Sequence, residues 1–391
     1  MRYNFDKVID RSGTSAEKVE GLKHIWGRTD LIPLWVADMD FATAPFVTDA
    51  IRKRCENEVL GYTGKPDSYY NAIINWVKQR YDLVVAKEMI NFVPGIVPGI
   101  GMAMNCFTQK GDKVMIQPPV YHPFAWVTTR NERTLVINPL RWENGMYRMD
   151  LDAFREQIKG CKLFILCNPH NPGGVVWTEA ELRAIADICY DEKVLVFSDE
   201  IHADLTLPPH THRPFATVSE KARMNSVTFM SPSKAFNMPG LSASHALIFN
   251  EDLRKRFRIY MDAGELDMGH VFAFLSVEAA YSHGTEWLDQ CLAYIQGNID
   301  FVDDFLKNHA PKIKAIRPEA SYLVWLDCRE LELSQKDLNE FFVDKAHLAL
   351  NDGEMFGKEG IGFMRLNVAS PRCIIEKAMK QLADAYQLYI K

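Results

Sequence analysis

The chain has 391 residues, too many for one compact core, since cores seldom grow much beyond about 250 to 300 residues, so two domains are expected. A balance of 47 % hydrophobic and 25 % charged residues is that of an ordinary globular protein and excludes a largely disordered or fibrous one. With a formal net charge of -6 and basic residues scattered among acids, the chain lacks the basic stripe of a nucleic-acid binder.

The opening Met1-Arg2-Tyr3-Asn4-Phe5-Asp6 has an early acid and no apolar run, unlike a secretory signal. No 18-residue apolar stretch is available to span a bilayer, and a cytoplasmic protein is expected. From roughly residue 90 to 250, short apolar runs alternate with amphipathic helical stretches. The runs begin at Lys113, Thr134, Leu163, Val194, Val227 and Ala246, and this alternation predicts an α/β core with a mostly parallel sheet covered on both faces. One helix is predicted over Glu179 to Asp191: Thr178 and Glu181 form a capping box, and Leu182, Ile185, Ala186 and Cys189 share a face. After about residue 285 the pattern changes to a long helix (Glu286 to Asn308), strand-like runs at 321–326 and 362–368, and a closing helix, which reads as a second, smaller α+β unit. No repeat or flexible linker separates the units, so a shared interface with a small-ligand cleft is expected.

Eight cysteines are spread without a Cys-x-x-Cys pair, which predicts reduced core thiols and neither a disulfide frame nor a zinc site. His210 and His212 have no partners at metal spacing. Gly61-Tyr-Thr-Gly-Lys65 is too short for a phosphate-binding loop and lacks its Ser or Thr, and Gly95 to Gly101 lacks the dinucleotide spacing.

The informative polar residues follow the carboxyl ends of the apolar runs: Tyr121, Asn168 with Asn171, Asp199, and Ser231, Ser233 and Lys234. Open α/β sheets bind ligands at that edge. Pro94-Gly95-Ile96-Val97 opens a helix whose free N–H groups and dipole suit an anion.

Through Asn168-Pro-His-Asn171-Pro-Gly-Gly174, Ser198-Asp-Glu-Ile-His202 and Ser231-Pro-Ser-Lys234-Ala-Phe, the chain resembles the fold-type I pyridoxal 5'-phosphate (PLP) enzymes of the class I/II aminotransferase superfamily. Leu34-Trp-Val-Ala-Asp-Met-Asp-Phe41, Gly61-Tyr-Thr-Gly64, Pro118-Pro-Val-Tyr-His-Pro-Phe124, Gly240-Leu-Ser-Ala-Ser244 and Phe363-Met-Arg-Leu-Asn-Val-Ala369 narrow the resemblance to the carbon–sulfur β-lyase (cystathionine β-lyase) subgroup. The resemblance implies a large domain with a mostly parallel seven-stranded sheet sandwiched by helices, placed at 45–285. A smaller α+β domain is composed of 1–44 and 286–391.

It also implies the roles. Lys234 forms an imine with the cofactor aldehyde, is displaced by the substrate amine and is then free beside Cα as general base. Asp199 keeps the pyridine nitrogen protonated. Ile201 lies against one ring face and Tyr121 on the other, while Asn171 and His202 hydrogen-bond the phenolic oxygen; many relatives have Tyr where this chain has His202. Ile96, Val97, Ser231 and Ser233 hold the phosphate, joined by Tyr62 from the neighbouring subunit of a homodimer with a shared active site. Arg365 clamps the substrate α-carboxylate, with Asn171 and Asp38 also at the substrate. Two departures stand out. Position 242 is Ser where many aminotransferases have a phosphate-binding arginine, and Ala320-Ser321 replaces the subgroup's usual Gly-Thr, which is expected to reshape the substrate pocket.

The implied reaction is β-elimination on cystathionine or a cysteine S-conjugate, giving thiol, pyruvate and ammonia. Transamination shares its early steps and differs in where the proton returns. A third alternative is a binding or regulatory protein with vestigial catalysis, against which the intact set Lys234, Asp199, Asn171 and Arg365 speaks.

Overall fold

A computed structural model describes residues 2–390. Its larger sheet has seven strands: β1 (Ile90–Val93), β2 (Lys113–Ile116), β3 (Thr134–Ile137), β4 (Cys161–Cys167), β5 (Leu195–Asp199), β6 (Ser226–Met230) and β7 (Ser244–Leu247). Their order is β1-β7-β6-β5-β4-β2-β3. The pairs from β6 to β3 are parallel, whereas β7 runs antiparallel to both β1 and β6. Six strands therefore point one way and β7 alone is reversed, the mostly parallel α/β sheet expected.

Burial on both faces explains the continuous apolar runs. In β4, Leu163 and Ile165 join one core cluster with Phe197, Val227 and Phe229, while Phe164 and Leu166 join another with Val196 and Leu182. The helix Glu179–Asp191 forms where expected; the Thr178 hydroxyl accepts from the Glu181 N–H and the Glu181 carboxylate accepts from the Thr178 N–H. Two unsatisfied helix-start donors are thus met by one short motif.

A second sheet has four antiparallel strands, β8 (Lys314–Ile316), β9 (Leu323–Asp327), β10 (Asn351–Asp352) and β11 (Phe363–Asn367), in the order β8-β9-β11-β10. The helices Thr285–His309 and Arg372–Tyr389 bury Ile295, Ile299 and Val302, and Ile375, Met379 and Leu382. One apolar cluster runs from Phe5 and Leu34 through Phe236 to Leu366 and Tyr386, so the N-terminal segment is built into the same core as the C-terminal helices. All eight cysteines are free; five are buried, Cys106 is half-buried, and Cys55 and Cys373 are exposed, contrary to the expectation of core thiols throughout. Both exposed ones lie on helices, where sequence alone did not separate the outer face from the inner.

Candidate active site

Because β1, β2, β4, β5 and β6 point the same way, the loops at their carboxyl ends converge. After β1 come Gly95 to Pro98, after β2 Tyr121, at and after β4 Cys167 and Asn171, at and after β5 Asp199, Ile201 and His202, and after β6 Ser233 and Lys234. All line one cavity of about 200 Å³.

Lys234 donates from Nζ to the Ala37 carbonyl at 2.5 Å, and the same oxygen accepts from the Tyr322 hydroxyl at 2.9 Å. Burial, with the Arg365 cation nearby, pushes the Lys234 amine down to about 8, against the opposing pull of Asp38 and Asp199. A substantial fraction is therefore the free, nucleophilic amine near neutrality.

Asp199 is the last residue of β5 and is buried. Burial pushes its carboxyl up to about 7, although the Ile201 N–H at 3.1 Å pulls the other way. A carboxylate so desolvated is stabilised by a cationic N–H partner, which suits a protonated ring nitrogen. His202 is buried and held neutral, its pKa lowered to about 3 by burial and by the nearby Lys234 and Arg365 cations. Its Nδ1 has no hydrogen-bond partner among the described residues, so the ring has unused capacity.

Arg365 sits mid-strand in β11 opposite Asn351 and Trp325. Nη1 donates to Asn171 Oδ1 at 3.1 Å, and Nη2 to Asn351 Oδ1 at 2.5 Å and the Trp35 carbonyl at 3.0 Å. The guanidinium also lies 4.8 Å from the centre of the Phe356 ring. Its Nε is buried without a partner among the described residues. Burial lowers its pKa only to about 10, so it stays charged, and every acceptor it has is neutral. A buried cation so placed is completed by an anionic ligand.

At the other end, Gly95 has φ +117°, a backbone that a side chain rarely adopts. It caps the 12-residue helix Ile96–Phe107. The Gly99 N–H already bonds the Gly95 carbonyl and Pro98 has none, which leaves the Ile96 and Val97 N–H groups for an anion. Ser233 lines this cavity, whereas the Ser231 hydroxyl lies behind it, within 2.9 Å of Ser233 Oγ and 2.8 Å of the Ala243 carbonyl. The cavity thus offers a lysine amine, an anion-binding helix start and a buried carboxylate, and its Asn171 is the hydrogen-bond partner of the anion-hungry Arg365, which does not itself line the cavity; together they make a donor set that fits PLP with an amino acid.

Besides Ser231 and Arg365, two further expected residues do not line the cavity. Tyr62 is 98 % exposed on a loop outside the cavity. The Asp38 carboxylate does not line it and is held by Arg11 at 2.6 Å. Sequence reasoning missed Ala37, Tyr322 and Asn351, and also Cys167, which ends the apolar run of β4 and whose Sγ accepts from the Asn171 N–H at 3.3 Å.

Residues 29–382 match the model of the aminotransferase class I and II family. The chain belongs to that family. It is 38 % identical to cystathionine β-lyase PatB of Bacillus subtilis strain 168, over 98 % of this chain and 99 % of that protein. Its structure is similar to that of cystalysin from Treponema denticola, which contains a PLP cofactor, with a TM-score of 0.96 and 33 % identity over 100 % of both chains. It is also similar to the PLP-bound C-S lyase of Staphylococcus hominis, with a TM-score of 0.91 and 35 % identity over 98 % of both chains. In this aminotransferase class I and II chain, Ser242 lines the cavity with Ser244 and Ser233. Ala320 does not line it, contrary to expectation: it is fully buried, bridged to Thr206 and bonded through its N–H to the Gly174 carbonyl.

Proposed function

We propose that the protein is a PLP-dependent carbon–sulfur β-lyase that cleaves cystathionine or cysteine S-conjugates to thiol, pyruvate and ammonia. The observation that carries this reading is an amino-acid site built on Lys234 and Arg365, with Ser242 at the cavity wall, in a chain matched over 98 % of its length by a PLP-bound C-S lyase and by a cystathionine β-lyase. When bound, PLP supplies an aldehyde that condenses with amines and a ring that withdraws the electron pair left at Cα.

The protein does the rest. Arg365 takes the α-carboxylate, a planar two-pronged match, while Asn171, its partner at 3.1 Å, fixes the guanidinium plane. Lys234, its amine released by the incoming substrate amine and its pKa lowered to about 8, removes the Cα proton. The electron pair then expels the thiolate from Cβ, and the three-carbon enamine that leaves hydrolyses to pyruvate and ammonia. Asp199 would keep the ring nitrogen protonated, Ile201 and Tyr121 would hold the ring, and neutral His202 and Asn171 would bond the phenolic oxygen. Ile96, Val97 and Ser233 would hold the phosphate, with Ser231 orienting Ser233. Asp38 acts on the substrate side through its charge on Lys234.

The reading includes a cytoplasmic homodimer in which Tyr62 reaches the partner's phosphate; a tyrosine 98 % exposed in the single chain supports this. The large domain is 45–285 and the smaller one 1–44 with 286–391. The test is incubation of the PLP-loaded protein with L-cystathionine. Pyruvate and free thiol, both abolished by Lys234→Ala, support the lyase. Keto acid formation dependent on an added amino acceptor, without thiol, makes the protein an aminotransferase instead.

A further inference from the structure

The segment 35–40 passes the site as a row of backbone acceptors. The Trp35 carbonyl receives Arg365, the Ala37 carbonyl receives Lys234 and Tyr322, and the Val36 and Asp38 carbonyls receive the Asn367 amide. Beyond it stands Lys18, whose side chain is 0 % exposed. Its Nζ is 2.7 Å from Asp40 Oδ2 and 3.7 Å from Asp38 Oδ1, while Arg11 holds Asp38 at 2.6 Å and Asp40 at 3.0 Å. Ser370 Oγ also donates to Asp40, at 2.5 Å. The backbone carbonyl of Lys18 separately accepts from the Trp35 indole at 3.0 Å.

We infer that Lys18 is a positioning residue for Lys234: by clamping Asp38, whose N–H shares a peptide with the Ala37 carbonyl, and Asp40 two residues further on, it fixes the carbonyl that receives the Lys234 amine. A buried lysine is costly unless paired, and the core alone would be served by an apolar residue here. The planar Ala37–Asp38 peptide ties the Ala37 carbonyl to Asp38, so a clamp on the Asp38 and Asp40 side chains limits how that carbonyl can turn. The inference rests on Lys234 as the reacting amine.

The charged and titratable groups around Lys234 are Arg365, Asp38, Asp199 and His202, with the Tyr322 hydroxyl on the shared carbonyl. Removing the Lys18 cation strengthens the field of Asp38 at Lys234, and a loosened segment admits water; both raise the amine's pKa. Neutralising Asp40 leaves the Lys18 charge less compensated and lowers it.

The experiment is competitive acetylation of the apoprotein across pH, with each lysine read by mass spectrometry and the exposed Lys255 as internal reference. Lys18→Met is expected to raise the Lys234 midpoint by about half a unit or more, Asp40→Asn to lower it, and Lys18→Arg to restore it, with Lys255 unmoved. In the loaded enzyme Lys18→Met lowers kcat about tenfold with little change in KM, because the Lys18 carbonyl still braces Trp35 beneath Arg365. A Lys234 midpoint unchanged in both Lys18→Met and Asp40→Asn overturns the inference. If Lys18→Met does not fold, Asp40→Asn decides alone: a lowered midpoint supports it and an unmoved or raised one overturns it. The apoprotein labelling uses no cofactor or substrate, so its failure and the failure of the lyase reading are distinguishable.

Discussion

Arg365 and Asn171 come from different sheets, β11 and the loop after β4, yet Arg365 Nη1 donates to Asn171 Oδ1 at 3.1 Å. This bond ties Arg365 to the lining of the cavity, to which Asn171 belongs. The guanidinium is held from three directions by neutral acceptors, so its orientation is set before any anion arrives, which is what lowers the cost of binding one.

Arg365→Lys keeps the charge and loses the fork. KM for the amino acid is expected to rise about 10- to 100-fold, with a smaller effect on kcat, as read from steady-state kinetics. Asn351→Ala removes one of the three acceptors and is expected to give a weaker version of the same change.

Asp199 carries a pH signature in the apoprotein. Its folded pKa of about 7 lies above the unfolded value near 4, so the native state binds more protons between the two. Stability conferred by this group is therefore fully present below about pH 4 and lost as pH rises toward 7. Asp199→Asn, which removes the buried charge, is expected to raise the apoprotein Tm by a few degrees at pH 8, with the gap closing toward pH 4. The same variant retains PLP poorly and loses at least about 100-fold in kcat. Calorimetry and turnover read the two halves separately.

Lys234→Ala is expected to lower kcat by about 1,000-fold or more, and an added small primary amine to restore part of it, since a diffusible base then stands in for the missing one. Restoration absent across a series of amines of graded pKa would mean that Lys234 does not move the Cα proton.

Gly174 sits at φ +69°, and a Cβ there would lie 2.5 Å from Pro318 Cβ. Its carbonyl accepts from the N–H groups of Glu319 and Ala320, joining the Asn171 loop to the segment that leads through Tyr322 into β9. Gly174→Ala is expected to cost about 1 to 3 kcal/mol from the left-handed backbone and the clash. It should show as a lowered Tm and, through displacement of Asn171, a raised KM.

The central strands were legible because burial on both faces leaves an unbroken apolar run, as in Leu163-Phe164-Ile165-Leu166. Strand β1 was not, because Asn91 interrupts it; its amide is satisfied by the Met89 carbonyl at 3.1 Å. The strand expected from Ala246 begins earlier, at Ser244, since the buried polar pair Ser244-His245 masks its start. The motifs singled out Lys234, Asp199 and Arg365, and the fold brings Lys234 and Asp199 to one cavity with Arg365 bonded to its Asn171. The acceptors that orient them were not singled out: a backbone carbonyl such as that of Ala37 or Trp35 has no signature in a sequence, and only the fold brings it to its donor. Ala320 was expected to reshape the substrate pocket and is instead buried away from the cavity lining, its backbone bridged to Thr206.

The most direct measurement of the central claim is a single NMR experiment in which PLP-loaded protein is mixed with L-cystathionine and 2-oxoglutarate and all products are followed together. The account predicts pyruvate and free thiol in equal amounts, with 2-oxoglutarate unconsumed. Consumption of 2-oxoglutarate to glutamate, with the C–S bond intact and no thiol released, would contradict it.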